Sequence, residues 1–304
     1  MAEPLQLQPQ VIEGSGSGPK LLITAGVHGD EFTPMAAVRK LARLVEPGAL
    51  RGTLRLVPVV NEAAYLRGER TAEDELDLAR VCPGDSNGSV TLRIAHALSK
   101  LIGEADYYID LHTGSATLDV LPMTGYMLHA DETVLALQRQ MARAFNLPVI
   151  WGTTPTLDGR SLSVARDACV PAIYAEYLGS GVCDAQGVEA YVTGSLGVMA
   201  QLGMLDRAPP ASQVELVVED NTPESGHMQV QNSSPKTGFF EPAVELGQSI
   251  EADGLIGVVV DVSGEEQTEI RAGYAGIVLA LRTFPRVSEG DSVAVIMDTA
   301  CRIT

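Results

Sequence analysis

Residues 21–27 form a short, mainly apolar run that ends in glycine-rich polar sequence, the pattern of a buried strand entering a functional loop. Residues 32–45 then carry apolar side chains at helical spacing, with Pro34 tolerable only in the first turn. The same alternation continues downstream. Strands are predicted over 53–60, 107–111 and 172–177, and helices over 89–102, 132–145 and 188–202. Strands interleaved with helices imply an α/β fold, a sheet covered on both faces. Polar groups gather where the strands end, which is where such sheets place their sites.

The texture changes after Arg207. Pro209-Pro210 reads as a hinge, and β-branched runs at 214–218, 256–262, 276–281 and 292–296 alternate with turn residues and no helical period. This divides the chain into residues 1–207 and a smaller all-β part, 208–304. Residues 238–247 with Ser249-Ile250 echo residues 276–290 with Asp291-Ser292-Val293, a weak internal repeat. Small barrels built from two similar halves, of the lipoyl/biotinyl hammerhead shape, have such a repeat. No lysine sits at a hairpin tip to carry a prosthetic group, so the expected role is a lid or an oligomerisation module.

Charge narrows the partners. A formal net charge of −18 over 304 residues, without a Lys/Arg cluster, argues against nucleic acid. No apolar run approaches the roughly 18 residues needed to span a bilayer, and the first residues lack the basic start and apolar core of a secretory signal. Cys82, Cys169, Cys183 and Cys301 form no CxxC pair and read as free thiols. A cytoplasmic protein is expected, with homo-oligomerisation left open.

The informative stretch is Ala25-Gly26-Val27-His28-Gly29-Asp30-Glu31. A His and a Glu three apart at a strand–helix junction can turn towards one point, and both are standard zinc ligands. An isolated His-x-x-Glu is also the pattern of a surface pair or cap; Gly26 and Gly29 favour the tight turn that a ligand pair needs. The chain has five histidines. His96 lies within a predicted amphipathic helix, His129 follows a Met/Leu stretch and His227 sits in the β-rich tail. His112 ends a strand and projects into the same crevice as His28, and Asp110 can share its face. Two His and one Glu leave a position open for water, as catalytic zinc requires. Hydrolysis also needs a base and a positive group. Glu176, in an apolar strand before a Gly-Ser-Gly turn, suits the first; Arg67, Arg70 and Arg80 are candidates for polarising a carbonyl or forking a carboxylate, or else solvated charges.

In order, His28-Gly29-Asp30-Glu31, Asn61 with Arg70, Asp77-Leu78-Ala79-Arg80 with Pro83-Gly84, Asp110-Leu111-His112 and Glu176 resemble the succinylglutamate desuccinylase/aspartoacylase family over roughly residues 20–205. The resemblance implies a zinc carboxypeptidase-like fold with a mixed central sheet flanked by helices. It implies one zinc per chain held by His28, Glu31 and His112, with Glu176 as base and Arg70 polarising the carbonyl. It also implies Arg80 gripping a substrate carboxylate, with Arg67 and Asn61 at the same site. The expected substrate is a small N-acyl amino acid. The tail resembles that of bacterial aspartoacylase-like deacylases, including those acting on N-acetylated diaminobutyrate. One position departs from the family's Asp-Leu-Asn-Arg: Ala79 replaces the amide. A hydrogen bond to a charged group is worth about 1.5–3 kcal/mol, so its loss points to a differently shaped or less acidic substrate. A peptide-trimming carboxypeptidase, a non-haem iron facial triad and a non-catalytic binding protein are the rival readings.

Overall fold

Strands and helices alternate in the order the hydrophobic pattern predicts. In the computed structural model, which describes residues 6–223, 225–228 and 231–303, the chain begins with β1 (Gln10–Glu13), β2 (Gly16–Ala25), α1 (Phe32–Leu44), β3 (Arg51–Val57) and α2 (Glu62–Arg67). It continues with α3 (Val90–Gly103), β4 (Tyr107–His112), β5 (Leu118–Val120), β6 (Met123–Met127), α4 (Glu132–Phe145) and β7 (Val149–Thr153). Then come α5 (Ser161–Asp167), β8 (Ala172–Glu176), α6 (Ala185–Gln201) and β9 (Leu216–Glu219). All of these strands but β5 form one sheet, ordered β1-β3-β2-β4-β8-β6-β7-β9. β3, β2, β4 and β8 are mutually parallel, while β6 runs antiparallel to β8, so the sheet is mixed.

Successive strand residues face opposite sides of a sheet, and the core divides on that rule. Leu21, Ile23 and Ala25 pack with Leu41 of α1, Phe145 of α4 and Tyr191 of α6. Leu22 packs instead with Ile94 and Leu98 of α3 and Leu162 of α5. Burying each such aliphatic side chain is worth roughly 1.5–3 kcal/mol, so a strand apolar on both faces is stable only between two helical layers. β1, α2, β5, β6, β7 and α5 escape the hydrophobic pattern, two of them for identifiable reasons. β6 (MTGYM) is buried at every position and shows no alternation, and α5 has only seven residues in which to display a period.

The tail departs from the expected division. β9 pairs in parallel with β7, Leu216 beside Val149, so sheet membership changes after Glu219 rather than at Arg207. Beyond it lie β10 (Gly238–Pro242), β11 (Ser249–Ile250), β12 (Leu255–Val260), β13 (Gln267–Arg271), β14 (Gly276–Arg282), β15 (Arg286–Val287) and β16 (Ala294–Met297). One sheet has the order β13-β12-β10-β15; the other, β11-β14-β16, is joined by β5 of the first part. The two echoing stretches interlock. Ser249 and Ile250 pair with Ile277 and Gly276, and Ser292 pairs back with Ser233, just ahead of the first stretch. Phe240, Ile256, Val278 and Ile296 belong to the apolar core these strands enclose. Among the described residues no helix follows Gln201, none is long and apolar enough to cross a membrane, and all four cysteines are free.

Candidate metal centre

β2 ends at Ala25, and the chain turns through Gly26, at φ 68°, into the loop carrying His28. At Gly29 this loop presses on α2; a Cβ there would lie 2.2 Å from the Ala64 carbonyl carbon, so only glycine fits. Glu31 is the N-cap residue of α1, where the helix dipole favours a negative charge. His112 closes β4, and the register sets Glu176, the last residue of β8, directly across from it. The carboxyl ends of three adjacent parallel strands therefore converge on one crevice.

His28 Nδ1 lies 2.7 Å from Glu31 Oε1, and His112 Nδ1 lies 3.1 Å from Glu31 Oε2. One ligand atom from each residue lies within 4.8 Å of the others, so the three can hold a metal ion. The far nitrogen of each ring is tied to a carboxylate: His28 Nε2 to Asp77 Oδ1 and His112 Nε2 to Asp110 Oδ2, both at 3.1 Å. Such partners fix ring rotation and tautomer and leave each Nδ1 facing the shared point. Asp110 is itself held by Thr24, donating at 2.7 Å, and by Ser161.

The electrostatics are those of a place that receives positive charge. Burial alone would push Glu31 upward, yet the two imidazoles hold its carboxyl well below the usual carboxylate range. Burial also opposes the His112 imidazolium, but Asp110 and Glu31 raise it well above its ordinary value. A metal ion takes the neutral imidazole and so competes with that proton for one position.

Glu176 is buried, and its Oε2 has no hydrogen-bond partner among the described residues. Burial, reinforced by Glu31 and Asp110, pushes its carboxyl up to about 8 against the pull of His112 and Arg70. Arg70 Nη1 donates to Ser115 Oγ at 2.8 Å and Nη2 to Asp77 Oδ2 at 3.0 Å; Ser115 in turn donates to Glu31 Oε1 at 2.7 Å. His28, Glu31, His112, Glu176, Arg70 and Arg80 all line one cavity of about 340 Å³. Burial, helped by the neighbouring Arg160, lowers Arg80 to about 10, so two guanidinium groups share a wall suited to an anion.

Two expected site residues are elsewhere. Arg67 stands on the exposed end of α2, its Nε donating to Glu69 at 3.0 Å, and is not on the cavity wall. Asn61 is fully buried and caps α2, its Oδ1 accepting from Ala64 N–H at 3.1 Å; the backbone at the start of that helix claims its side chain. Conversely, Asp77, Ser115, Arg160 and Tyr174 belong to the site without having been singled out. Asp77 stood in view at the head of the Asp-Leu-Ala-Arg run. Arg160 precedes a helix too short for periodicity to reveal.

The sequence profile of the succinylglutamate desuccinylase/aspartoacylase catalytic domain matches residues 17–202, the span that holds every one of these groups. The chain belongs to this family. Among its relatives, the N-alpha-acetyl-L-2,4-diaminobutyric acid deacetylase of Halomonas elongata is 31% identical over 301 residues, spanning 95% of this chain and 85% of the relative. The ectoine utilization protein EutE from Ruegeria pomeroyi, solved with product bound, superposes with a TM-score of 0.86 at 27% identity, over 95% of this chain and 88% of that one. A succinylglutamate desuccinylase from Silicibacter sp. TM1040 gives 0.84 at 26% identity, over 94% and 86%. The desuccinylase/aspartoacylase family match thus covers the main sheet and its helices, and the superpositions extend the likeness in fold over 94–95% of the chain.

Proposed function

We propose that this protein is a zinc-dependent deacylase that hydrolyses the amide bond of a small N-acyl amino acid resembling N-acetyl-2,4-diaminobutyrate. The observation that carries the reading is the pairing of Glu176 with His112 in register. It sets a buried carboxylate with an unpartnered oxygen beside a cluster of two imidazoles and a carboxylate. His28, Glu31 and His112 would hold one zinc ion; two nitrogens and one carboxylate are the donor set of catalytic zinc. When bound, the ion supplies Lewis acidity and makes water a nucleophile near neutral pH.

The chain's own groups do the rest. Glu176 takes a proton from the attacking water and delivers it to the departing amine nitrogen. Arg70, held by Ser115 and Asp77, donates to the acyl oxygen as it gains charge. Arg80 and Arg160 receive the substrate carboxylate. Ala79 leaves that wall without an amide, which fits a substrate with one carboxylate better than a dicarboxylic one. The four thiols are consistent with work in the reducing cytoplasm.

The test is a panel of N-acetyl and N-succinyl amino acids and short peptides, assayed with protein of measured zinc content. Release of amino acid from peptides alone would establish the carboxypeptidase instead.

A further inference from the structure

Tyr174 stands two residues before Glu176 on β8, and both side chains line the same cavity. Across from Tyr174 on β6 is Gly125. The tyrosine ring lies flat over that glycine: a Cβ at 125 would sit 2.2 Å from ring atoms Cε1 and Cζ and 2.5 Å from the phenol oxygen. Any larger residue at 125 would lift the ring into the cavity, so the glycine sets the depth of its floor.

The hydroxyl so placed has no hydrogen-bond partner among the described residues, although its cavity wall is half-buried. Facing the cavity, it is free to donate to water or to a ligand that displaces the water. Arg160 lines the same cavity, and among the described residues its guanidinium donates to one neutral group, the Gly226 carbonyl, at 3.2 Å. A neutral O–H donor and a guanidinium on one wall match a carboxylate, which accepts at both oxygens. The acyl oxygen is the concern of the other end, where Arg70 adjoins the metal cluster.

We infer that the Tyr174 hydroxyl, laid over Gly125, is a recognition group that binds the substrate carboxylate together with Arg160. It supplies the neutral donor that Ala79 lacks, and the inference rests on the deacylase reading above. The test compares wild type and Tyr174→Phe, zinc-loaded, on N-acetyl-L-2,4-diaminobutyrate and on the same compound with its carboxylate converted to carboxamide. For the acid, KM rises about tenfold with kcat nearly unchanged, the size of one hydrogen bond to a charged group. For the carboxamide, whose oxygen accepts only a neutral hydrogen bond, kcat/KM falls by clearly less than for the acid, and zinc content and Tm do not move. Equal losses on both compounds, or none on either, overturn the inference while leaving the deacylase reading intact. A wild type that hydrolyses neither compound overturns that reading itself. The seating has its own check: Gly125→Ala lowers Tm, and adding Tyr174→Ala restores it; no restoration shows that the ring does not depend on the glycine.

Discussion

Asp77 Oδ1 lies 3.1 Å from Nε2 of His28, while the other oxygen of the same carboxylate accepts from Arg70 at 3.0 Å. One side chain therefore orients both the His28 imidazole and the Arg70 guanidinium. Burial opposes the charge, but His28, Arg70 and Arg80 hold the Asp77 carboxyl far below the usual range, so it is anionic at neutral pH. Asp77→Asn keeps the shape and removes the charge. Zinc affinity should fall about 10–100-fold, the usual effect of losing a ligand's carboxylate partner, and kcat should fall with it at saturating zinc. Competition with a chromophoric chelator measures the first. An unchanged affinity would mean that the contact does not orient the ring.

Glu176→Gln separates chemistry from assembly. The amide cannot take a proton from water, so turnover should drop by at least about 10²–10⁴-fold, the range assigned to a positioned base. The substitution also removes a buried carboxyl that burial has raised to about 8, so Tm should hold or rise. Bound zinc should stay near that of wild type, read by elemental analysis. Residual activity within tenfold of wild type would remove Glu176 from the mechanism.

Much of this centre is legible in the sequence, because it lies on the strongest local patterns. The apolar run of β2 delivers His28, the strand 107–112 delivers His112, and the start of α1 delivers Glu31. Hydrophobic period cannot see what long-range pairing brings in. Ser115 acquires its role from a left-handed backbone, at φ 54°, that sets its hydroxyl between Arg70 and Glu31. Tyr174 acquires its role from a glycine 49 positions earlier, on a strand with no alternation to mark it. Arg67 and Asn61 fail in the opposite direction. Charge and nearness to Arg70 recommended Arg67, and the family resemblance recommended Asn61, but α2 turns one to solvent and spends the other on its cap.

If His28, Glu31 and His112 hold the proposed zinc ion, removing it should loosen the protein, and by an amount that depends on pH. Two imidazoles and a carboxylate bind the ion in their deprotonated forms, so binding releases protons and weakens as pH falls. A ligand present at 100 times its Kd adds about 2.7 kcal/mol to stability. Chelation should therefore lower Tm by several degrees, and stoichiometric zinc should restore it. The shift should shrink as pH drops and His112, whose affinity for a proton Asp110 and Glu31 raise, keeps that proton instead. A Tm indifferent to chelator at neutral pH would mean that the three residues hold no ion in solution.

The edge strand β9 is fastened to β6 and α4 partly by its last residue, Glu219. Its carboxylate accepts from Nε and Nη2 of Arg139, each at 2.6 Å, and from the Tyr126 hydroxyl at 2.6 Å. Burial works against the charge, but these donors hold the Glu219 carboxyl below its ordinary value. A depressed carboxylate adds stability that is fully present above its unfolded pKa, about 4.3, and is lost as pH falls through the lower folded value. Arg139 is 43% exposed, which discounts the pair for solvent screening. Glu219→Gln should thus cost about 1 kcal/mol at pH 7, or roughly 2–4 °C in Tm. The deficit should narrow below about pH 4.3 as the wild-type carboxylate takes up its proton. Denaturant titrations at pH 7 and at pH 3.5 would show this, and an equal deficit at both would place the stabilisation in shape rather than in charge.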